Sequence, residues 1–233
     1  MWMNEGRVDG KPFISEGTFN TLTSINLATR GQGAGAALGW FVEEDHGEKI
    51  ITHSGGMPGF ILNHAVVPGK DLAVIALGNG ESYSVFAITE KILDLYLGDG
   101  AADPAAGMLQ YTAAARAKDA ERRNARLNAR IKGTKPTATA SALKGTYIDK
   151  VYGEAVIDDA NGTPTLSFTH AKDLFSGPLA HWHYDTWTWA HSDPFLEAGH
   201  ITFEFDTDHK VTGFRIDLNS PDFHFHKLHF QRH

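Results

Sequence analysis

The sequence predicts an α+β chain: a partial antiparallel sheet with flanking helices, then a linker helix, then an all-β unit that is a sandwich or an up-and-down barrel. Three observations predict it. From about Gly39 to Asn79, strand-length runs rich in branched and aromatic residues alternate with short turn sequences. Residues 103–132 change to an Ala- and Arg-rich helical pattern. From about Ala142 onward, roughly eight short β-type runs follow one another at regular spacing.

The opening "MWMNEGRVDG" reads as the end of a helix entering a turn at Asp9-Gly10, as in a chain that starts inside something longer. It has no basic region followed by an apolar one, so no signal peptide is visible. A helix is expected from about Ser15 to Leu22, with Ser15 as N-cap and Glu16 in the first turn. "RGQGAGAALGW" is too rich in glycine for an element interior and reads as a loop. Then come "LGWFVEED", "EKIITHS", "GFILNHAVV" and "DLAVIALGN". Their joins "DHGE", "GGMP" and "PGKD" suit hairpins, so a meander of roughly three or four strands is expected. In "SYSVFAITEKILDLYLG", Val85, Ile88, Ile92 and Leu95 form one helical face, and Gly98 is a natural stop. That face should pack on the sheet.

Asp103 before Pro104 starts the next helix. The segment is basic, but no aromatic residues interleave with its arginines, so it reads as a solvated connector and not as a nucleic-acid surface. "GTKPTATAS" reads as a linker. The expected organisation is residues 1–100, a connector over 101–140, and a β domain over 141–233. In the β domain, "DANGT", "DTDHK" and "NSPD" mark turns, and the alternation Ile201, Phe203, Phe205 suits a wall with one face inside.

Composition narrows function. The 233 residues are 42% hydrophobic, enough to fill cores and too many for a disordered chain. A net charge of −7 points to no nucleic-acid partner. There are no cysteines, which excludes disulfides and thiolate metal sites. No apolar run approaches the length of a membrane span. Among the 13 histidines, His181 and His183, and His224 and His226, are spaced to share one face of a strand. Such pairs can hold zinc or copper. No carboxylate or third histidine is placed convincingly beside either pair, so a polar barrel wall or rim is expected, with neither metal nor cofactor. A bulge is expected near Lys227, where the inward parity switches from Phe223 and Phe225 to Leu228 and Phe230. Trp182, Trp187 and Trp189 read as aromatic core more readily than as the lining of a ligand cavity.

"ITHSGGMPGF" carries the functional question. Ser54 beside His53 and ahead of Gly55 and Gly56 could be a nucleophile, part of a tight turn, or one wall of a site whose nucleophile lies elsewhere. A nucleophile elbow needs glycine two residues before the serine, and Thr52 stands there. Adjacent residues of a strand point to opposite faces, so His53 cannot serve Ser54 as base. The wall of an acyl-transfer site is the favoured reading.

The series "LGWFVEEDHGEKIITHSGGMPGFILNHAVVPGKDLAVIALGNG" with its following helix resembles the C-terminal part of the class C β-lactamase-like serine hydrolases. "NEGRVDGKPFISEGTFNTL" resembles the segment that precedes it there, and residues 142–233 resemble the lipocalin-like domain that often follows. The resemblance puts His53 where the lysine of K-T-G usually sits, and Ser54 in place of the threonine that contacts the substrate. Gly55 would then leave room for substrate along the strand, and Gly56 would offer its N–H to the oxyanion hole. The family's S-x-x-K nucleophile motif has only one literal match, "SALK" at Ser141–Lys144, in the wrong part of the chain. "SIN" at Ser24–Asn26 fits S-x-N but lies too close to His53. The implied function is the C-terminal portion of a serine hydrolase acting on an ester, amide or D-amino-acid peptide, with the nucleophile outside this chain. A small-molecule or peptide substrate and an extracytoplasmic location are implied by the resemblance alone. The alternative is a non-catalytic protein that binds a small apolar ligand in its barrel. In the resembling fold two further strands complete the sheet. Without them an edge stays open around Trp40, Phe41 and Phe60. Residues 1–100 should then self-associate or need the missing N-terminal half.

Overall fold

A two-residue hairpin opens the folded chain. β1 (Arg7–Val8) pairs with β2 (Lys11–Pro12) across Asp9 and Gly10, both at positive φ (49° and 73°), as a tight hairpin turn requires. The predicted helix end before it is instead a turn over residues 2–6, where Gly6 and Glu5 also adopt positive φ and break any helical run. The computed structural model describes residues 1–29, 33–160, 162–220 and 223–233. Residues 30–32 of the glycine-rich stretch, and parts of the predicted turns at 161 and 221–222, lie outside them. The chain divides into two units, Met1–Glu121 and Arg122–His233.

In the first unit, α1 (Glu16–Leu22) is capped by Ser15, whose Oγ accepts the Thr18 N–H at 3.1 Å. A six-stranded antiparallel sheet follows in chain order: β3 (Leu27–Ala28), β4 (Gly35–Ala36), β5 (Phe41–Asp45), β6 (Glu48–Met57), β7 (Phe60–Val67) and β8 (Leu72–Gly78). Two more strands are present than expected, because part of the glycine-rich stretch pairs. A Cβ on Gly35 would lie 2.6 Å from the Leu27 carbonyl oxygen, so glycine is what lets β3 and β4 approach.

The sheet's two faces differ. One packs Ile50, Ala65 and Val67 against Leu93 of α2 (Ser84–Leu97). The helix buries Val85, Thr89 and Leu93, a stripe at i, i+4, i+8. The expected stripe through Ile88 and Leu95 is therefore corrected: both are exposed, because α2 is apolar on more than one side and the sheet selects only one. Gly98 ends the helix as expected, its N–H reaching the Asp94 carbonyl. On the other face Ile51 and Val66 pack with Phe19, Trp2 and Trp40. Trp40 lies 4.4 Å from Trp2 between ring centroids, so it belongs to this core, whereas Phe41 and Phe60 are exposed as expected. The long helix α3 (Pro104–Asn128), with Asp103 Oδ1 accepting the Ala106 N–H, buries none of its residues.

The second unit is a closed eight-stranded antiparallel barrel. Its strands are β9 (Gly145–Asp149), β10 (Gly153–Ala160), β11 (Thr163–Phe168), β12 (Ser176–His183), β13 (Thr186–Trp189), β14 (Gly199–Phe205), β15 (Val211–Asp217) and β16 (His229–Arg232). Each pairs with its neighbours in sequence, and β16 closes back on β9. Ile201, Phe203, Phe214, Phe168, Trp187 and Trp189 all point inward and are buried. Packed side chains thus fill the interior. Trp182 is the exception to the aromatic-core reading, since it lies outside beneath Arg130. In place of the bulge expected near Lys227, a 3-10 turn at Phe225–Lys227 changes the parity before β16.

The closing seam is short. β16 and β9 pair only at Gln231↔Ile148 and Arg232↔Tyr147. Where pairing stops, the Asp149 carboxylate takes over. Its Oδ2 accepts the His229 N–H at 2.7 Å, and its Oδ1 accepts the Val151 and Tyr152 N–H groups at 2.7 and 2.9 Å. Burial alone would raise the pKa of this carboxyl, but the backbone donors outweigh it and hold the group below the usual range. Its stabilising contribution is therefore present above the unfolded-state pKa and lost as pH falls through the depressed folded value. Asp149→Asn turns an amide donor toward one of these N–H groups. It should cost the barrel about 2 kcal/mol, or roughly 10 °C in its calorimetric transition. A shift below about 1 °C would show that the seam does not depend on this side chain.

Candidate functional site

β6 carries all four residues singled out from the sequence: His53, Ser54, Gly55 and Gly56. Its pairing is uneven. β5 covers it from Glu48 to Thr52, where Phe41 pairs with Thr52 and the strand partner ends. β7 covers the other side from Ile51 to Met57. From His53 to Met57, then, β6 has a strand partner on one side only among the described residues. The other side is an open edge of backbone N–H and C=O groups.

The side chains divide by face. His53 pairs directly with His64, which pairs with Ile75, so these three form one cross-strand row. The Trp40 ring stands perpendicular to both imidazoles, at 6.2 Å from His53 and 5.1 Å from His64. Burial, and next the neighbouring His53, push the His64 imidazole below its ordinary pKa. Ser54 lies on the opposite face, across from buried Asn63. Neither His53 nor His64 can reach its hydroxyl, so Ser54 has no histidine base on these strands.

The two glycines are the informative part. Neither Gly55 nor Gly56 adopts a positive φ. A Cβ on Gly55 would first meet the Leu62 side chain, at 3.6 Å, and one on Gly56 would come no nearer than 3.6 Å to the Phe60 carbonyl. Those are ordinary contacts. Neither the backbone nor the packing of this unit asks for glycine there, and β strands disfavour it. Glycine also marks a strand where another backbone or a ligand comes close.

Other candidates do not converge on this edge. In "SALK", Lys144 bonds Asp158 at 2.7 Å, and the Ser141 hydroxyl meets Thr139, both in the barrel unit. In "SIN", the Asn26 amide donates to the Ser24 carbonyl and the Asn26 N–H to the Ala36 carbonyl, which ties α1 to β4. A cleft of about 540 Å³ does exist in the first unit, but at Glu43, Asp45, Glu90 and Asp94. Burial first, then Asp45 and Glu90, raise the Glu43 carboxyl there, and burial raises Glu90. It contains no hydroxyl nucleophile among its lining residues.

The histidine pairs also separate. The register shifts between His181 and His183, which sends their rings to different partners, the Tyr184 carbonyl and the Ile131 N–H. His224 and His226 lie on and beside the 3-10 turn, so the expectation of a shared strand face is corrected. Among the described residues, no three His, Cys, Asp or Glu side chains gather as a metal site would need.

Comparison with known proteins reaches the barrel most directly. Residues 129–232 match a family described as Domain of unknown function (DUF3471). No curated protein matches the chain. Among solved structures, it is similar to an octameric penicillin-binding protein homologue from Pyrococcus abyssi, with 14% identity and a TM-score of 0.35. That similarity covers 93% of this chain and 42% of the other. A crystal structure of SurE with D-Leu is similar at 15% identity and a TM-score of 0.34, over 94% of this chain and 44% of the other. The chain thus spans less than half the length of either structure, and likenesses this distant fix no activity.

If the glycines serve something outside the unit, replacing them should not harm the fold. Gly55→Ala and Gly56→Ala should each leave the melting transition of the first unit unchanged or raise stability by about 0.5 kcal/mol. A loss of more than about 1 kcal/mol in denaturant titration would show that the fold itself needs them.

Proposed function

We propose that this chain is the C-terminal portion of a β-lactamase-related serine hydrolase, and that it supplies the K-T-G-like strand while the nucleophile comes from outside it. The observation that supports this most is the open edge His53–Met57, with two glycines that its own unit does not use. An extended acyl group or peptide can lie beside such an edge and exchange hydrogen bonds with it, and the missing Cβ atoms let the two backbones approach. In this reading Gly56 N–H polarises the substrate carbonyl. Ser54 and His53 flank the bound group on the two faces of the strand. A serine oxygen from outside the chain adds to the carbonyl carbon, and the negative charge develops on the carbonyl oxygen. Collapse expels the alcohol or amine with a proton and leaves an acyl-enzyme, which water then hydrolyses.

The substrate class in this reading is an ester, amide or D-amino-acid peptide. Histidine at position 53 takes the place of a permanent cation, which favours substrates that do not depend on a fixed positive charge. The nucleophile-bearing half would add strands to the open side of β8. A ligand held inside the barrel, the alternative function, gains no support from an interior filled by Phe168, Trp189, Phe214 and Phe230.

Activity-based labelling tests the reading. A fluorophosphonate or penicillin probe should leave this chain unmodified on its own. In the natural gene product the same probe should modify a serine that lies before residue 1 of this numbering. Peptide mapping that finds the adduct on Ser54, or no adduct in the gene product, would overturn it.

A further inference from the structure

The segment from α3 to the barrel meets the barrel wall partly through two histidine rings, and each of those two hydrogen bonds needs a neutral ring. Within the Arg122–His233 unit, the Arg126 guanidinium donates to His200 Nδ1 at 3.0 Å and also pairs with Asp217. Five residues on, the Ile131 N–H donates to His183 Nδ1 at 3.2 Å. Guanidinium and peptide N–H groups can only donate, so each ring must present a lone pair at Nδ1. A protonated imidazole has none.

The surroundings reinforce this. His200 Nε2 is buried with no hydrogen-bond partner among the described residues, and its ring stands perpendicular to Trp182 at 5.1 Å. Arg130 lies over the other ring system of this group, 4.6 Å above Trp182, and donates to the Trp182 carbonyl at 2.9 Å. Burial, then Arg126, hold the His200 imidazole below its ordinary pKa, with Asp217 opposing and His183 adding to the shift. Further strap contacts involve no histidine ring. Arg123 pairs with Glu197 at 2.6 Å, Thr134 Oγ1 accepts the Tyr184 N–H at 2.8 Å, and Thr137 donates twice to Asp185.

We propose that residues 123–137 form an acid-released strap: neutral His183 and His200 hold it on the barrel wall, and protonation of both rings frees it. Protonation removes two hydrogen bonds and gathers Arg126, Arg130 and two imidazolium rings around Trp182, with Asp217 as the counter-charge. For His200, whose ring burial holds below its ordinary pKa, the strapped state prefers the neutral form, so its contribution is full above the free histidine pKa and is lost as pH falls through the depressed bound value. The device is independent of the hydrolase reading, since every group it uses belongs to the barrel unit.

Hydrogen exchange on the full chain, corrected for intrinsic rates, tests it at about pH 7.5 and pH 5.0. Protection at Ala129, Arg130 and Ile131 should fall at least about tenfold at the lower pH, while β10–β15 stay protected. The double variant His183→Gln, His200→Gln keeps two acceptors that never protonate, and its strap should stay protected at both pH values. An unchanged wild type, an equal loss in the variant, or simultaneous loss in the barrel strands would overturn the proposal. A second reading keeps the test sharp if the variant's strap is loose throughout. In the wild type, the midpoint of release should follow the NMR titration of the two rings, and a midpoint that follows neither ring overturns it.

Discussion

Every strand edge in a folded chain exposes N–H and C=O groups that must find partners, and how each unit meets that demand shapes the rest of this protein. The barrel meets it by closure. Eight antiparallel strands return to their start, and the last gap is bridged by Asp149 where β16 runs out of paired residues. Around that seam Arg232 donates to the Ala142 and Lys144 carbonyls, and the Tyr147 hydroxyl donates to Leu143. Burial pushes the Tyr147 phenol up to about 12, so it stays a neutral donor. With no edge left among its described strands, this unit spends its outer wall on polar contacts, including the histidine-held strap.

Apart from the two-residue strands β1 to β4, the first unit leaves the demand unmet in two places among the described residues. β5 stops at Phe41 and uncovers His53–Met57, and β8 ends the sheet with no strand beyond it among the described residues. On the face beside β8, Ile75 and Leu77 are 71% and 74% exposed, continuous with Leu62 on β7. An uncharged strand such as Leu72–Gly78, lacking proline and bulge, has none of the devices that keep edges from pairing. The edge at the glycines is short and the one at β8 is long, and in the proposed reading the first takes a small extended substrate and the second a further strand.

Much of this was legible in the sequence because period and punctuation agreed. The barrel strands alternate inward apolar residues such as Ile201 and Phe203 between turn signals, and tertiary packing had little left to decide. Ser15 and Gly98 marked helix ends through local chemistry alone. What failed to read depended on distant partners. The sheet chose Thr89 and Leu93 over Ile88 and Leu95, although both stripes are available on α2. The register shift after His181 split a histidine pair that spacing alone placed together. The strand that carries His53–Gly56 was legible, but its open edge was not, because that edge exists only through the point at which β5 stops.

The contrast between a closed barrel and an open sheet is tested most directly by light scattering after size-exclusion chromatography, on the full chain and on residues 122–233. The account predicts a barrel fragment that stays monomeric at every concentration, and a full chain that associates with increasing concentration through residues 1–100. A full chain that remains monomeric, with a cooperative melt in its first hundred residues, would contradict it, because the β8 edge would then need no partner.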